Sequence, residues 1–123
     1  LNDYLKNFMR KIFYLSSCDT CQRILNELKV LDDFLLQDVK NEPITQQQLD
    51  ELKEIVGRYE LLFNKRAKLY RERELHKQSL TEENYKKLIL EHYTFLKRPI
   101  LVIDQRIISG NATKIIKEVR KFL

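Results

Sequence analysis

Apolar residues along this chain follow two spacings, short consecutive runs and a recurrence every three or four positions, and the two exchange places several times. Arg10 to Leu15 (Arg-Lys-Ile-Phe-Tyr-Leu) is short, β-branched and aromatic, and halts at Ser16-Ser17, so it predicts a buried strand. From Cys21 onward Ile24, Leu25, Leu28 and Leu31 recur at helical spacing, which predicts a helix to about Val30. Phe34 to Val39 reads as a second strand ending at the polar turn Asn41-Glu42-Pro43. Thr45 offers an N-cap to a helix with Leu49, Leu52, Ile55 and Val56 on one face, stopped by Gly57. Tyr59 to Phe63 suggests a further helical turn. Thr81-Glu82-Glu83-Asn84 opens another helix, with Asn in place of the Glu of a strict capping box, and Tyr85, Leu88, Ile89 and His92 follow on related faces. Ile100 to Ile103 and Arg106 to Ser109 are strands joined by the two residues Asp104-Gln105, a hairpin. Gly110-Asn111 then opens a last helix with Ile115, Ile116, Val119 and Phe122 on its apolar side. The order β-α-β-α-(α)-α-β-β-α places the chain in the α/β class.

Composition narrows that class. With 123 residues and 14.9 kDa the chain has the length of one ordinary domain, and 43% hydrophobic residues suffice for a core. Two Gly and two Pro exclude collagen-like, low-complexity and loop-rich all-β designs. No repeat or linker interrupts it. Leu1 to Phe8 carries Asp3 and Lys6 but no apolar core, so no secretory signal is expected, and no apolar run approaches the ~20 residues that cross a bilayer. A cytoplasmic protein with reduced thiols is the expectation. Met9 directly precedes the first strand, so residues 1–8 read as an extension outside a single domain at 9–123. The formal charge is +5, and residues 62–77 hold six Lys or Arg against two Glu, a local net of +4.

Two cysteines cannot staple a scaffold, but their spacing carries chemistry. Cys18-Asp19-Thr20-Cys21 stands at the junction of the first strand and first helix, and a CxxC beside a βαβ pattern reads as a thioredoxin-like redox motif. Unpaired N–H groups at a helix start favour the thiolate of the first cysteine, and the second, one turn on, can attack a mixed disulfide formed there. Cys18 is therefore the candidate nucleophile and Cys21 the resolving thiol. Two blander readings stand beside this one. Half a zinc site would need further ligands, and only His76 and His92 remain, without metal-pair spacing. Two inert buried thiols are the other. The charge of Asp19 opposes thiolate formation next door, a cost that a nearby cation offsets. Arg98-Pro99 supplies one, at the place where thioredoxin-like folds put a cis-Pro, so cis is expected here although trans is the general rule for X-Pro. Ser16 and Ser17 flank the nucleophile. Ser17 is a candidate hydrogen-bonding partner for its thiolate, and both are also ordinary turn residues.

Three segments together resemble one family. Arg10 to Cys21, then Asn64-Lys65-Arg66, then Phe95-Leu96-Lys97-Arg98-Pro99-Ile100 resemble the arsenate reductase (ArsC) family, which includes Spx-type regulators and YffB-like proteins. The resemblance spans about Met9 to Leu123. It implies a thioredoxin-like fold, a mixed four-stranded sheet flanked by helices, with a helical insertion at about 45–96 before the Arg-Pro strand. It also implies a glutaredoxin-like reductase whose first cysteine, Cys18 by motif position, attacks an oxyanion or a disulfide. Arg98, with Pro99, would meet an anionic substrate, a thiolate or a glutathione carboxylate, and Lys65 or Arg66 falls near the family's mid-chain Arg. No bound cofactor is implied. Glutathione or a thioredoxin/glutaredoxin system would supply electrons, and the partners would be a small thiol or oxyanion substrate and a redox protein. Glutathione-linked arsenate reductases carry a further Arg after the last hairpin, where this chain reads Ile108-Ser109-Gly110-Asn111, which argues against arsenate itself. The alternative is an Spx-like redox-sensing regulator that binds the RNA polymerase α subunit. Gly57 lies about where such regulators have an important Gly, although a helix end calls for Gly there anyway.

The basic stretch from Asn64 to Lys77 reads as a solvated face or as a surface that steers anions. It lacks repeated aromatic residues and is interrupted by Glu72 and Glu74, so nucleic-acid binding is not expected, nor is a membrane. His92 suits packing or a helix end rather than catalysis, and His76 suits the surface.

Overall fold

The computed structural model describes residues 10–28 and 34–122. Residues 1–8, and the expected helix end at Val30 with Leu31, lie outside the described residues. The chain forms two compact units, one made of residues up to Glu42 together with those from Arg98, the other of Pro43–Lys97.

The first unit holds the sheet. Strand β1 (Arg10–Tyr14) leads into helix α1 (Asp19–Glu27) and strand β2 (Leu35–Asp38). Strands β3 (Ile100–Ile103) and β4 (Arg106–Ile108) form the hairpin, and the last helix of this unit covers Ala112–Arg120. The sheet order is β2-β1-β3-β4; β1 and β2 run parallel, and both other pairings are antiparallel. This is the mixed four-stranded sheet of the thioredoxin-like expectation. Alternation in the strands puts Ile12, Leu101, Ile103 and Ile108 on one face, where Ile24 of α1, Leu28 just past its end, and Ile115, Ile116 and Val119 from the last helix complete the core. Burying a side chain of this size contributes about 1.5–3 kcal/mol, so this layer holds α1 against the sheet.

The turn chemistry anticipated from the chain is present. Asp104 (φ 47°) and Gln105 (φ 71°) both have positive φ, the geometry of a type I′ hairpin turn, reached here without glycine. Asn111 caps the last helix by accepting from the Lys114 N–H at 2.9 Å. Phe122, expected in the core, is instead at the surface, where the Arg106 guanidinium lies 4.8 Å from its ring centre. The helical register ends at Arg120, so the spacing that suits Val119 no longer applies two residues beyond it.

The second unit is helical: α2 (Gln46–Val56), α3 (Lys68–Glu72) and α4 (Glu82–Glu91), with 3₁₀ turns at Tyr59–Leu62, Leu75–Lys77 and Tyr93–Phe95. In chain order the last helix of the first unit is α5. Thr45 and Thr81 both close reciprocal capping boxes, with Gln48 and Asn84 as the returning side chains. Asn84 Oδ1 accepts from the Thr81 N–H at 2.9 Å, so the shorter amide does the work usual for Glu. Phe63 centres the core. It stacks on Phe95 at 5.3 Å and meets Tyr70 and Tyr85 edge-on at 5.6 and 4.9 Å. Leu49 and Leu52 are buried as expected, whereas Ile55 is exposed and Val56 half-buried. Gly57, at φ 99°, ends α2 where a side chain would strain the backbone.

Candidate active site

The strand register decides what surrounds the cysteines. Phe13 on β1 is paired with Ile100 on antiparallel β3, so the chain leaving β1 and the chain entering β3 occupy one end of the sheet. Leaving β1, the chain makes a turn in which the Cys18 N–H donates to the Leu15 carbonyl at 3.0 Å, and α1 begins at Asp19. Entering β3, it passes through Arg98 and Pro99, and the Arg98–Pro99 bond is cis, as expected from the fold. Two short loops thus bring Arg98 to the CxxC.

The two thiols have different surroundings. Cys18 is the N-cap residue of α1, half-buried, with its backbone extended (φ −90°, ψ 120°). Cys21 is the third helical residue and fully buried. Neither is in a disulfide. The Cys21 thiol is pushed up to about 12, chiefly because burial disfavours its charged form. A hydrogen bond with the Cys18 side chain and the repulsion of a second thiolate push the same way; a main-chain hydrogen bond from Leu15 and the Arg98 guanidinium oppose them. Near neutral pH Cys21 is therefore a protonated thiol.

Asp19 is exposed in the first turn of α1, and Arg98, half-buried with its Nε beneath the surface, adds a smaller, favourable positive charge at Cys21. Pro99 is buried and Ser17 exposed in the turn. Two contributors carry no signal in the sequence. The Leu15 main chain reaches Cys21, and the Gln22 side-chain amide donates to the Ser16 carbonyl at 2.6 Å, bracing the turn ahead of the nucleophile. A backbone donor is invisible in a list of side chains, and a contact six residues apart has no periodic signature.

Lys65 and Arg66 belong to the helical unit. Lys65 Nζ donates to Glu60 at 2.6 Å, which raises its own pKa and lowers that of Glu60, and it lies 5.9 Å from the Tyr85 ring centre. Arg66 is exposed, its N–H donating to Asn64 Oδ1 at 3.0 Å. His92 caps the end of α4, its Nδ1 accepting from the Thr94 N–H at 3.0 Å, and His76 is exposed. Among the described residues no group of three or more His, Cys, Asp and Glu gathers to hold a metal ion, and no helix is long and apolar enough to cross a membrane.

The sequence matches the ArsC family over residues 13–119. The chain belongs to the ArsC family. Both ends of the site, the CxxC and Arg98-Pro99, fall inside the matched span. No curated protein matches this ArsC-family chain. Among solved structures it is similar to an ArsC family related protein from Bacteroides fragilis, with 20% identity and a TM-score of 0.77 over 95% of this chain and 99% of that one. An arsenate reductase from Vibrio cholerae gives 18% identity and a TM-score of 0.76, covering 94% and 98%. A Staphylococcus aureus protein solved by NMR gives 25% identity and a TM-score of 0.69, covering 89% and 97%. These likenesses establish the thioredoxin-like fold.

Proposed function

We propose that this ArsC-family protein is a glutaredoxin-like thiol-dependent reductase in which Cys18 is the nucleophile, Cys21 the resolving thiol and Arg98 the anion-binding group. One observation carries the reading: a half-exposed cysteine stands at the N-cap position of a helix, and a buried, protonated cysteine lies one turn behind it within reach of the Arg98 charge.

The steps follow from that asymmetry. The Cys18 thiolate attacks one sulfur of a disulfide, a bond forms to it, and the other sulfur leaves as a thiolate that takes up a proton. Arg98 offsets the negative charge of the exchanging sulfurs or of a carboxylate on the substrate. Once Cys18 is in the mixed disulfide, its charge no longer opposes ionisation of Cys21, while Arg98 still favours it. Cys21 then loses its proton, attacks the Cys18 sulfur and expels the second substrate thiol. The resulting Cys18–Cys21 disulfide takes two electrons from glutathione or from a thioredoxin or glutaredoxin system. Burial keeps Cys21 out of the first step and confines it to the second.

The experiment is turnover of hydroxyethyl disulfide with glutathione as reductant. Cys18→Ser is expected to abolish activity. Cys21→Ser is expected to retain the first attack and accumulate a mixed disulfide on Cys18. Full activity in Cys18→Ser overturns the assignment.

A further inference from the structure

Helices α1 and α5 lie side by side on one face of the sheet, and between them runs an open groove. It consists of two adjoining hollows of about 530 and 650 Å³ that share Arg23, Thr113, Lys117 and Lys121. One hollow reaches Thr20, a residue of the CxxC itself; the other reaches Arg120. Five cations line the groove: Arg23, Lys114, Lys117, Arg120 and Lys121. Against them stand two carboxylates, and one of these, Glu27, is paired with Arg120 at 3.7 Å.

This arrangement has a simple origin. Ile115, Ile116 and Val119 fill the core side of α5, which leaves Lys114, Lys117 and Lys121, spaced by three and four, on the outward side. Arg23 faces them from α1. Packing the two helices on one sheet face therefore concentrates like charge along a channel that begins at the redox motif.

We propose that this groove docks the acidic segment of a protein partner whose disulfide is attacked by the Cys18 thiolate, one partner sulfur bonding to Cys18 and the other leaving as a thiolate that takes up a proton. The proposal rests on the reductase reading above and names the partner's chemistry. Three features favour an acidic polypeptide. The channel is open along its length, which suits an extended segment better than a small molecule, since small-molecule sites enclose most of their ligand. No aromatic side chain lines it for a base to stack on, which disfavours single-stranded nucleic acid. Its ion pair and the hydroxyls of Thr20 and Thr113 match the mixed polar surface of a transient redox interface, where charge complementarity chiefly raises the rate of encounter.

The test uses disulfide-linked peptides in two versions, one with a run of Glu beside the cysteine and one with Gln in its place. The rate of mixed-disulfide formation on Cys18 is followed in the full-length protein by quenching and mass spectrometry. The acidic peptide is expected to react about tenfold faster at low ionic strength, and the advantage is expected to vanish in about 0.5 M salt. In the double variant Arg23→Glu, Lys117→Glu the advantage is expected to disappear, while the rate with uncharged hydroxyethyl disulfide stays unchanged. Equal rates for the two peptides, or an advantage that survives charge reversal, overturns the proposal. Inertness of Cys18 toward hydroxyethyl disulfide in the unmodified protein overturns the reductase reading instead. The groove is then judged by amide chemical shifts with the Cys→Ser form of the acidic peptide: shifts confined to Arg23, Thr113 and Lys117 support it, and their absence refutes it. Tighter seating of a single-stranded oligonucleotide on the same amides overturns the choice of a protein partner.

Discussion

If burial keeps Cys21 protonated, the folded state must lose stability at alkaline pH by an amount set by that thiol and its interaction with Cys18. Raising it from an ordinary 9.0 to about 12 means that the native state holds a proton the unfolded chain releases. The sign follows directly. The contribution is fully present below pH 9 and is lost as pH rises through 9 towards 12. At 1.36 kcal/mol per pH unit the complete loss is about 4 kcal/mol, of which about 2 kcal/mol has gone by pH 10.5. Cys21 is fully buried, so solvent screening does not shrink the effect. The assay is urea unfolding of the reduced protein at a series of pH values from 8 to 10.5, for wild type and Cys21→Ala. The variant starts lower because it leaves a small cavity, but its stability should fall less over this range. The difference between the two curves should close by about 2 kcal/mol, a displacement of the urea midpoint on the order of 1 M. Tyrosines and lysines titrate in both proteins and cancel. Parallel curves would show that the Cys21 thiol is not held protonated by the fold.

Other expectations follow from single contacts. Arg98→Ala should slow attack on glutathione disulfide, which carries carboxylates, about ten- to a hundredfold, while the uncharged hydroxyethyl disulfide loses less; equal losses on both substrates contradict an anion-binding role. Phe63→Ala removes the ring that contacts Tyr70, Tyr85 and Phe95 and should cost about 3–5 kcal/mol in chemical unfolding; a loss below 1 kcal/mol means that the aromatic core is not packed as described. Gly57→Ala meets no steric obstacle within 4 Å, so its cost should be the backbone strain alone, about 1–2 kcal/mol, with reductase activity unchanged.

How much of this was legible beforehand depends on how local each signal is. Thr45, Thr81 and Asn111 announce helix starts because a cap is completed within four residues, and Asp104-Gln105 announces a hairpin because the strands on either side fix its length. The CxxC reads as a site for the same reason: both cysteines and the helix start that holds them share one segment. The pairing of Arg98-Pro99 with that segment was legible through family resemblance, and its physical basis is the β1–β3 register. Ile55 and Phe122 depart from expectation because periodicity identifies a helix face without saying how far along it a neighbour extends. Glu82 accepting from the Tyr59 and Glu60 main-chain N–H groups at 2.7 and 3.2 Å is a contact across more than twenty residues, and no spacing rule encodes it. The basic groove has no local signature either. Residues 62–77 concentrate positive charge within one window, whereas the cations of α1 and α5 are far apart in sequence and meet only when both helices settle on the sheet.

The division of labour between the cysteines is tested most directly by intact-protein mass spectrometry after treatment with glutathione disulfide. Wild type should end as the Cys18–Cys21 disulfide, two mass units lighter than the reduced protein and free of adduct. Cys21→Ser should carry one glutathione, mapped to Cys18, and Cys18→Ser should carry none. A glutathione adduct on Cys21, or an adduct on Cys18 that persists in wild type without closing to the internal disulfide, would contradict a buried resolving thiol one turn behind the nucleophile.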